Sequence, residues 1–186
     1  MNIFNEDIDF AAEKGHTDVV IELIENGFNA NLADSRGRTP LHKAAMWGHV
    51  KTVRALIEHG ANASARNDLR ETALHIAAEY DQTETVEAIL DLKPNIVDKK
   101  DLCGNTALHW AAMNDFFETT KALIERGADV TVENNIGRVA VDYATDDEVK
   151  KLFQNADTIR SNFLATHPRR VSKYRRKLEK ANRQNG

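Results

Sequence analysis

The chain has 186 residues, of which 41% are apolar and 29% charged, values that fit a soluble globular protein with room for about one domain. Its formal net charge is −4, and no apolar run is long enough to cross a bilayer, which argues against an integral membrane protein. The acidic first segment predicts no secretory signal, and the single cysteine, Cys103, excludes an internal disulfide. We therefore expect a cytoplasmic protein, with the nucleus and delivery into a host cell as open alternatives.

Residues 3–33 predict a pair of helices. Ala11-Ala12 supplies a small apolar face to the first helix, and Gly15-His16 interrupts the pattern. The second helix carries an apolar stripe at helical spacing, formed by Val20, Leu23 and Ile24. Gly27 follows that stripe and is suited to end a helix in a left-handed turn.

Residues 34–66 repeat this arrangement with stronger signals. Thr39 can cap a helix, and Pro40 suits the first helical position, where its missing N–H is not needed. The apolar face of this helix contains Leu41, Ala44 and Ala45. Gly48 ends it, and a second stripe contains Val53, Leu56 and Ile57. The segment therefore predicts another helix pair.

The same unit recurs along the chain. TPLHKAA begins at Thr39, TALHIAA at Thr72 and TALHWAA at Thr106, so the spacings are 33 and 34 residues. A degenerate copy, GRVAVDYA, occupies residues 137–144. Lys93-Pro94 stands in the 34-residue unit where other units have Gly-Ala, and predicts an irregular turn. One helix pair cannot bury its apolar stripe alone, so the period predicts a stack.

The sequence resembles the ankyrin repeat, whose pattern D-x-x-G-x-T-P-L-H-x-A-A is nearly complete in DSRGRTPLHKAA. The resemblance implies a mainly α fold, a solenoid of stacked helix-turn-helix units joined by short β-hairpins. It covers about residues 3–153, and we expect residues 1–156 to form one domain. Within it we expect an N-terminal cap, three full repeats and a C-terminal cap, at residues 3–33, 34–66, 67–100, 101–133 and 134–156.

The histidines are expected to be structural. His42, His75 and His109 occupy the TPLH position, whose counterparts in ankyrin repeats brace the neighbouring turn. Helices pack about 8–10 Å apart, too far for equivalent histidines to share one zinc ion. No nucleotide-binding, zinc-protease or serine-hydrolase motif occurs, so we expect no metal, no cofactor and no catalysis. The pattern does not exclude a hydrolase with paired carboxylates.

The resemblance implies binding of a protein partner at the hairpin tips and the concave face of the inner helices. We expect the contacts at Arg36, Arg38, Met46, Trp47, Leu69, Glu79, Tyr80, Leu102, Met113 and Asn114. Trp, Tyr and Met in one surface row are typical of a binding hot spot. The alternative is that they pack on neighbouring helices of the chain. Trp110 is expected to belong to the core.

Charge divides along the chain. Residues 160–186 hold nine Lys and Arg against one acidic residue, whereas residues 1–159 hold 16 against 28. The extension at 157–186 predicts a helix at 170–182, and its basic residues include Arg169, Arg170, Lys173, Arg175, Arg176 and Lys177. Four interpretations remain open: docking on the acidic repeats, a solvated tail, a nuclear-import or nucleic-acid patch, and contact with an anionic membrane or a delivery signal.

These observations favour a non-catalytic, monomeric scaffold that binds another protein, whose identity the sequence does not give. The alternative is an adaptor whose basic C-terminal helix contacts nucleic acid or an anionic membrane surface. Strong salt dependence would indicate the adaptor, because that binding would depend on charge.

Overall fold

The computed structural model describes the backbone of residues 3–167 and the side chains of residues 8–167. That part of the chain contains ten α-helices and no β-strand. The helices are α1 (Ile3–Lys14), α2 (Thr17–Glu25), α3 (Pro40–Met46), α4 (Val50–Glu58), α5 (Ala73–Glu79), α6 (Thr83–Leu92), α7 (Ala107–Met113), α8 (Phe117–Glu125), α9 (Asp147–Gln154) and α10 (Ala156–Thr166). Two short 3₁₀ helices lie at Pro94–Ile96 and Ala140–Asp142.

The helices form two layers. An inner layer contains α1, α3, α5 and α7, each packed on the next, and the 3₁₀ helix Ala140–Asp142 packs on α7. An outer layer contains α2, α4, α6 and α8 in the same order. Buried alanine pairs such as Ala44-Ala45 and Ala77-Ala78 let the inner helices approach closely, and the core runs without interruption through the stack.

Tight turns join the units and contact one another in a row. Within a turn, the Asp34 N–H donates to the Arg38 carbonyl at 2.9 Å, and equivalent bonds close the later turns. Between turns, the Asp68 N–H donates to the Arg36 carbonyl at 3.1 Å, and the Leu102 N–H donates to the Leu69 carbonyl at 2.9 Å. The predicted β-hairpins are not confirmed, because residues 3–167 contain hydrogen-bonded turns at these connections and no strand.

Some residues that differ from the repeat pattern still form the hydrogen bonds that the pattern residues form in other units. The Nε2–H of His49 donates to the Glu13 carbonyl at 2.8 Å, and Gln82, one unit later, donates from Nε2 to the equivalent Met46 carbonyl at 3.3 Å. Lys93-Pro94 begins the 3₁₀ helix that accommodates the extra residue of its unit. These replacements conserve the hydrogen bond or the path of the chain rather than the residue type.

Helix α10 continues the outer layer beyond the repeat pattern, packing on α8 and α9. Phe163 is buried there, and the Arg126 guanidinium lies over its ring at 5.1 Å from the centroid. Arg126 also pairs with Glu87 at 3.0 Å and Asp91 at 3.4 Å. The predicted helix at 170–182 lies outside the described residues. Within residues 3–167, no helix has the length and apolar character needed to cross a membrane.

Candidate functional site

Each TPLH-type histidine joins two units through hydrogen bonds. His42 Nδ1 accepts the backbone N–H of Thr39 at 3.1 Å, and its Nε2–H donates to the carbonyl of Glu71 at 3.1 Å. His75 makes the same bonds to Thr72 and Asn105. Because Nδ1 accepts and Nε2 donates, the ring must be neutral.

Burial lowers the pKa of all three of these histidines, and it lowers the pKa of His75 to about 4 against the opposing charge of Asp101. The Nε2–H of each ring donates to a backbone carbonyl of the next turn, as the resemblance to ankyrin repeats implied. Within the part of the chain that the structure describes, no cluster of three His, Cys, Asp or Glu side chains could hold a metal ion.

A groove of about 460 Å³ opens where the inner helices meet the turns. We call it the α5 groove, because α5 and the residue after it supply Ile76, Glu79 and Tyr80. The other lining residues are Arg36, Arg38, Met46, Asn67, Asp68, Leu69, Glu71 and Trp110. Three consecutive units therefore contribute to one concavity.

The groove brings together part of the predicted binding set. Its lining includes Arg36, Arg38, Met46, Leu69, Glu79 and Tyr80. Trp47, directly after Met46, is 57% exposed, and Tyr80 is 47% exposed. The remaining predicted residues do not line the groove: Trp47, Leu102, Met113 and Asn114 lie elsewhere on the same units. Their side chains are exposed or partly buried, so they extend the candidate surface and do not build its concavity.

Trp110 differs from its predicted position in the core. Its side chain is only partly buried and lines the α5 groove, while its Nε1–H donates to Asp101 Oδ2 at 3.1 Å. Part of the ring packs on the core, which is why the position accepts a large apolar residue. Trp110 is only partly buried because it lies on the inner helix α7, where the outer helices do not cover it.

Two carboxyl groups give the groove an acidic side. Glu71 is only 6% exposed and accepts a hydrogen bond from Asn67 Nδ2 at 2.6 Å. Burial raises the pKa of Glu79, and the negative charge of Glu71 raises it further. A carboxyl group with a raised pKa in a concave surface is a common feature of functional sites.

Two exposed apolar residues were missed by the sequence interpretation. Ile136, in the last turn, is 71% exposed and occupies the position of Leu69 in its unit. Phe10 on α1 is also exposed and lies at the Trp110 position of the first unit. The repeat register could have identified Ile136, because it places that residue in the row of Leu69, which was already selected. Phe10 shares its row with Trp110, which was assigned to the core. The predicted basic residues of the tail, from Arg169 onward, lie outside the described residues.

Comparison with known protein families gives one match. A profile described as ankyrin repeats in three copies matches residues 8–100 and 74–162, and these two segments together cover most of the chain.

Comparison with curated proteins finds mitochondrial disaggregases. The cattle protein is 40% identical over 55 residues, which are 30% of this chain and 8% of the disaggregase. The human protein is 39% identical over 54 residues, 29% of this chain and 8% of the disaggregase. The rat protein is 32% identical over 75 residues, 40% of this chain and 11% of the disaggregase. The chain therefore spans about a tenth of the length of these relatives.

Proposed function

The chain belongs to the ankyrin-repeat family, whose members generally mediate protein–protein interaction and are generally not enzymes, and we propose that it binds a partner protein through the α5 groove. The turns and exposed residues beside the groove extend the contact. The observation that carries the proposal is the position of Tyr80 and Leu69, which are both about half exposed in the lining of one concave surface. The exposed Trp47 directly follows Met46, another lining residue. Large apolar side chains in such a place lower the free energy of a complex when they are covered.

The proposal gives this chain no catalytic role, although Glu71 and Glu79 share the groove. The groove lining contains no histidine, cysteine or serine, so it lacks the Ser–His and Cys–His pairs of nucleophilic catalysis. The disaggregases match over a short segment, and their named activity is not part of the proposal. We propose a monomeric scaffold of the cytoplasm.

An affinity-capture experiment tests the proposal. The full chain and its Trp47→Ala/Tyr80→Ala variant are used to capture proteins from nuclease-treated lysate of the source cell or its host. A matched control, Val19→Ala/Phe117→Ala, removes two exposed apolar side chains from the outer helices. We expect one partner to be captured by the wild type and the control and lost from the groove variant.

A second variant addresses the basic tail. Arg175, Arg176 and Lys177 are replaced by Gln in the full chain, which changes no residue of the groove lining. Capture that survives the Trp47→Ala/Tyr80→Ala change and disappears with the tail charges would overturn the proposal and assign binding to the C-terminal extension. Loss of capture at high salt would accompany that outcome, because binding by the extension would depend on charge.

A further inference from the structure

The acidic side of the α5 groove has no cation of its own within the described residues. Neither Glu71 nor Glu79 forms an ion pair in residues 8–167. The Arg38 guanidinium, which also lines the groove, pairs with Asp34 at 2.9 Å. Arg36 belongs to the preceding turn and lies beyond ion-pairing distance of both carboxylates. A partly buried pair of like charges is unfavourable until a positive charge approaches it.

The walls beside these carboxyl groups are aromatic and aliphatic. Tyr80 and Trp110 come from two successive inner helices, and Ile76 lies on the same helix as Glu79. The bond from the Trp110 N–H to Asp101 holds the indole in its orientation at 3.1 Å. Aromatic rings attract cations, and aliphatic surface accepts the methylene stem of a long basic side chain.

This combination selects one class of side chain. On the acidic side of the groove, away from Arg36 and Arg38, a carboxylate or phosphate would be repelled by Glu71 and Glu79. A purely apolar group there would remove water from the carboxyl groups without supplying a hydrogen bond in its place. A lysine or arginine provides an apolar stem for the walls and a charged donor for the carboxylates.

We propose that the partner inserts a lysine or arginine side chain into the α5 groove, with its stem against Tyr80 and Trp110 and its charged end at Glu79 and Glu71. The inference rests on the proposed function, since it requires that the groove bind a protein. It adds the chemistry of the contact: the partner presents a basic side chain on an exposed segment.

The test uses a displayed library of random dodecapeptides selected on the full chain. Peptides whose binding is reduced by Tyr80→Ala are retained as groove ligands, and this exposed residue is chosen because its truncation should leave the fold intact. We expect the retained peptides to share a lysine or arginine at one position. Replacing that residue by Gln should weaken binding about tenfold or more, as measured by titration calorimetry.

A double-mutant cycle then locates the charge contact. In the Glu79→Gln variant, the preference for the basic peptide over its Gln analogue should fall to about threefold or less, because the carboxylate that the cation binds is gone. Glu118→Gln is the matched control, since it removes one exposed carboxylate from the outer helix α8. That variant should keep the full preference.

Four results would overturn the inference. Groove peptides with no shared basic position, or a preference that survives Glu79→Gln, would show that the groove binds protein by other chemistry and would leave the proposed function standing. Absence of any peptide sensitive to Tyr80→Ala would count against the proposed function itself. Tighter peptide binding after replacing Arg175, Arg176 and Lys177 by Gln would show that the chain's own basic segment occupies the groove in place of a partner.

Discussion

The Nε2–H of His42 donates to the backbone carbonyl of Glu71 at 3.1 Å, so a side chain from one unit fixes the turn that supplies a carboxylate to the α5 groove. The bond explains how a scaffold histidine can affect binding without touching a ligand. His75 and His109 hold the next two turns in the same way.

The His42→Ala variant should be destabilised by about 2–4 kcal/mol. It leaves the Thr39 N–H buried without a partner and removes one of the two hydrogen bonds that the Glu71 carbonyl accepts, the other coming from the Asn67 N–H. Urea unfolding followed by circular dichroism measures the change. His16→Ala is the control, since that exposed ring has no side-chain hydrogen bond in the described structure, and it should change the stability by less than about 0.5 kcal/mol. Equal losses in the two variants would contradict the bracing role.

The free energy of unfolding should decrease as the pH falls from about 6.5 towards 4. The pKa of His75 is about 4 in the folded chain against 6.5 as the ordinary value, so the unfolded chain binds protons first in this window. The contribution of His75 is complete above pH 6.5 and is lost progressively below it, amounting to about 3 kcal/mol at most.

Chemical unfolding at several pH values between 7 and 4 checks this decrease, and NMR titration of the His75 ring checks its cause. His42 and His109 should act in the same direction, because burial also lowers their pKa. A His75 ring that titrates near pH 6.5 in the folded protein would contradict the assignment.

Replacing Arg70 by Gly should stabilise the protein by about 0.5–1 kcal/mol. Arg70 has a φ of 61°, a left-handed conformation that strains an L-residue, whereas Gly37 and Gly104 occupy the equivalent position in neighbouring turns. The Arg70 side chain is exposed, so little contact is lost. The midpoint of urea unfolding measures the effect.

Asp115→Gly provides the contrast. Asp115 has a φ of 53°, yet its carboxylate accepts hydrogen bonds from the Thr145 hydroxyl, the Thr145 N–H and the Asp146 N–H. The change to glycine relieves the backbone strain but also removes these three hydrogen bonds. We therefore expect the Asp115→Gly variant to be less stable than the wild type. A stabilised Asp115→Gly variant would mean that those bonds contribute less than the backbone strain costs.

The Phe163→Ala variant should be destabilised by about 2–4 kcal/mol, because it removes buried apolar surface and uncovers the Arg126 guanidinium. Asn162→Ala, on the exposed side of α10, is the control and should have little effect. Thermal unfolding compares the two. If Phe163→Ala left the melting temperature unchanged, α10 would not be part of the cooperative fold.

The Trp47→Ala variant should retain the stability of the wild type within about 1 kcal/mol, since more than half of the indole is exposed. Urea unfolding measures the change in stability and so tests the alternative, in which Trp47 packs on neighbouring helices. A loss of about 3 kcal/mol would indicate a packing role and would weaken the case for partner contact.

The repeat period predicted the helix pairs because each apolar stripe recurs at a fixed spacing and needs a neighbour to cover it. The resemblance to ankyrin repeats, together with a helix spacing too wide for a shared zinc ion, assigned His42 and its equivalents to the scaffold. The repeat period did not predict α10, because Ile159 and Phe163 follow no earlier unit. Arg126, whose guanidinium lies over the Phe163 ring, directly follows α8 and precedes Phe163 by more than thirty residues.

The α5 groove was predicted only in part. The register identified Tyr80 and Met46 as surface positions, but the concavity depends on how far each turn extends over the next inner helix. Trp110 was assigned to the core because its position in the unit favours large apolar residues. Only the packed structure shows that one edge of the indole is covered while the rest faces the groove.

The hydrogen bonds between turns use backbone N–H and C=O groups, whereas the walls of the groove are side chains from three consecutive units: Met46, Tyr80 and Trp110. Duplication or deletion of one unit in the gene would preserve the backbone contacts and change which side chains become neighbours. The order of the units therefore encodes the recognition surface. Rearranging that order gives such a chain a route to a new specificity that no single amino-acid substitution provides.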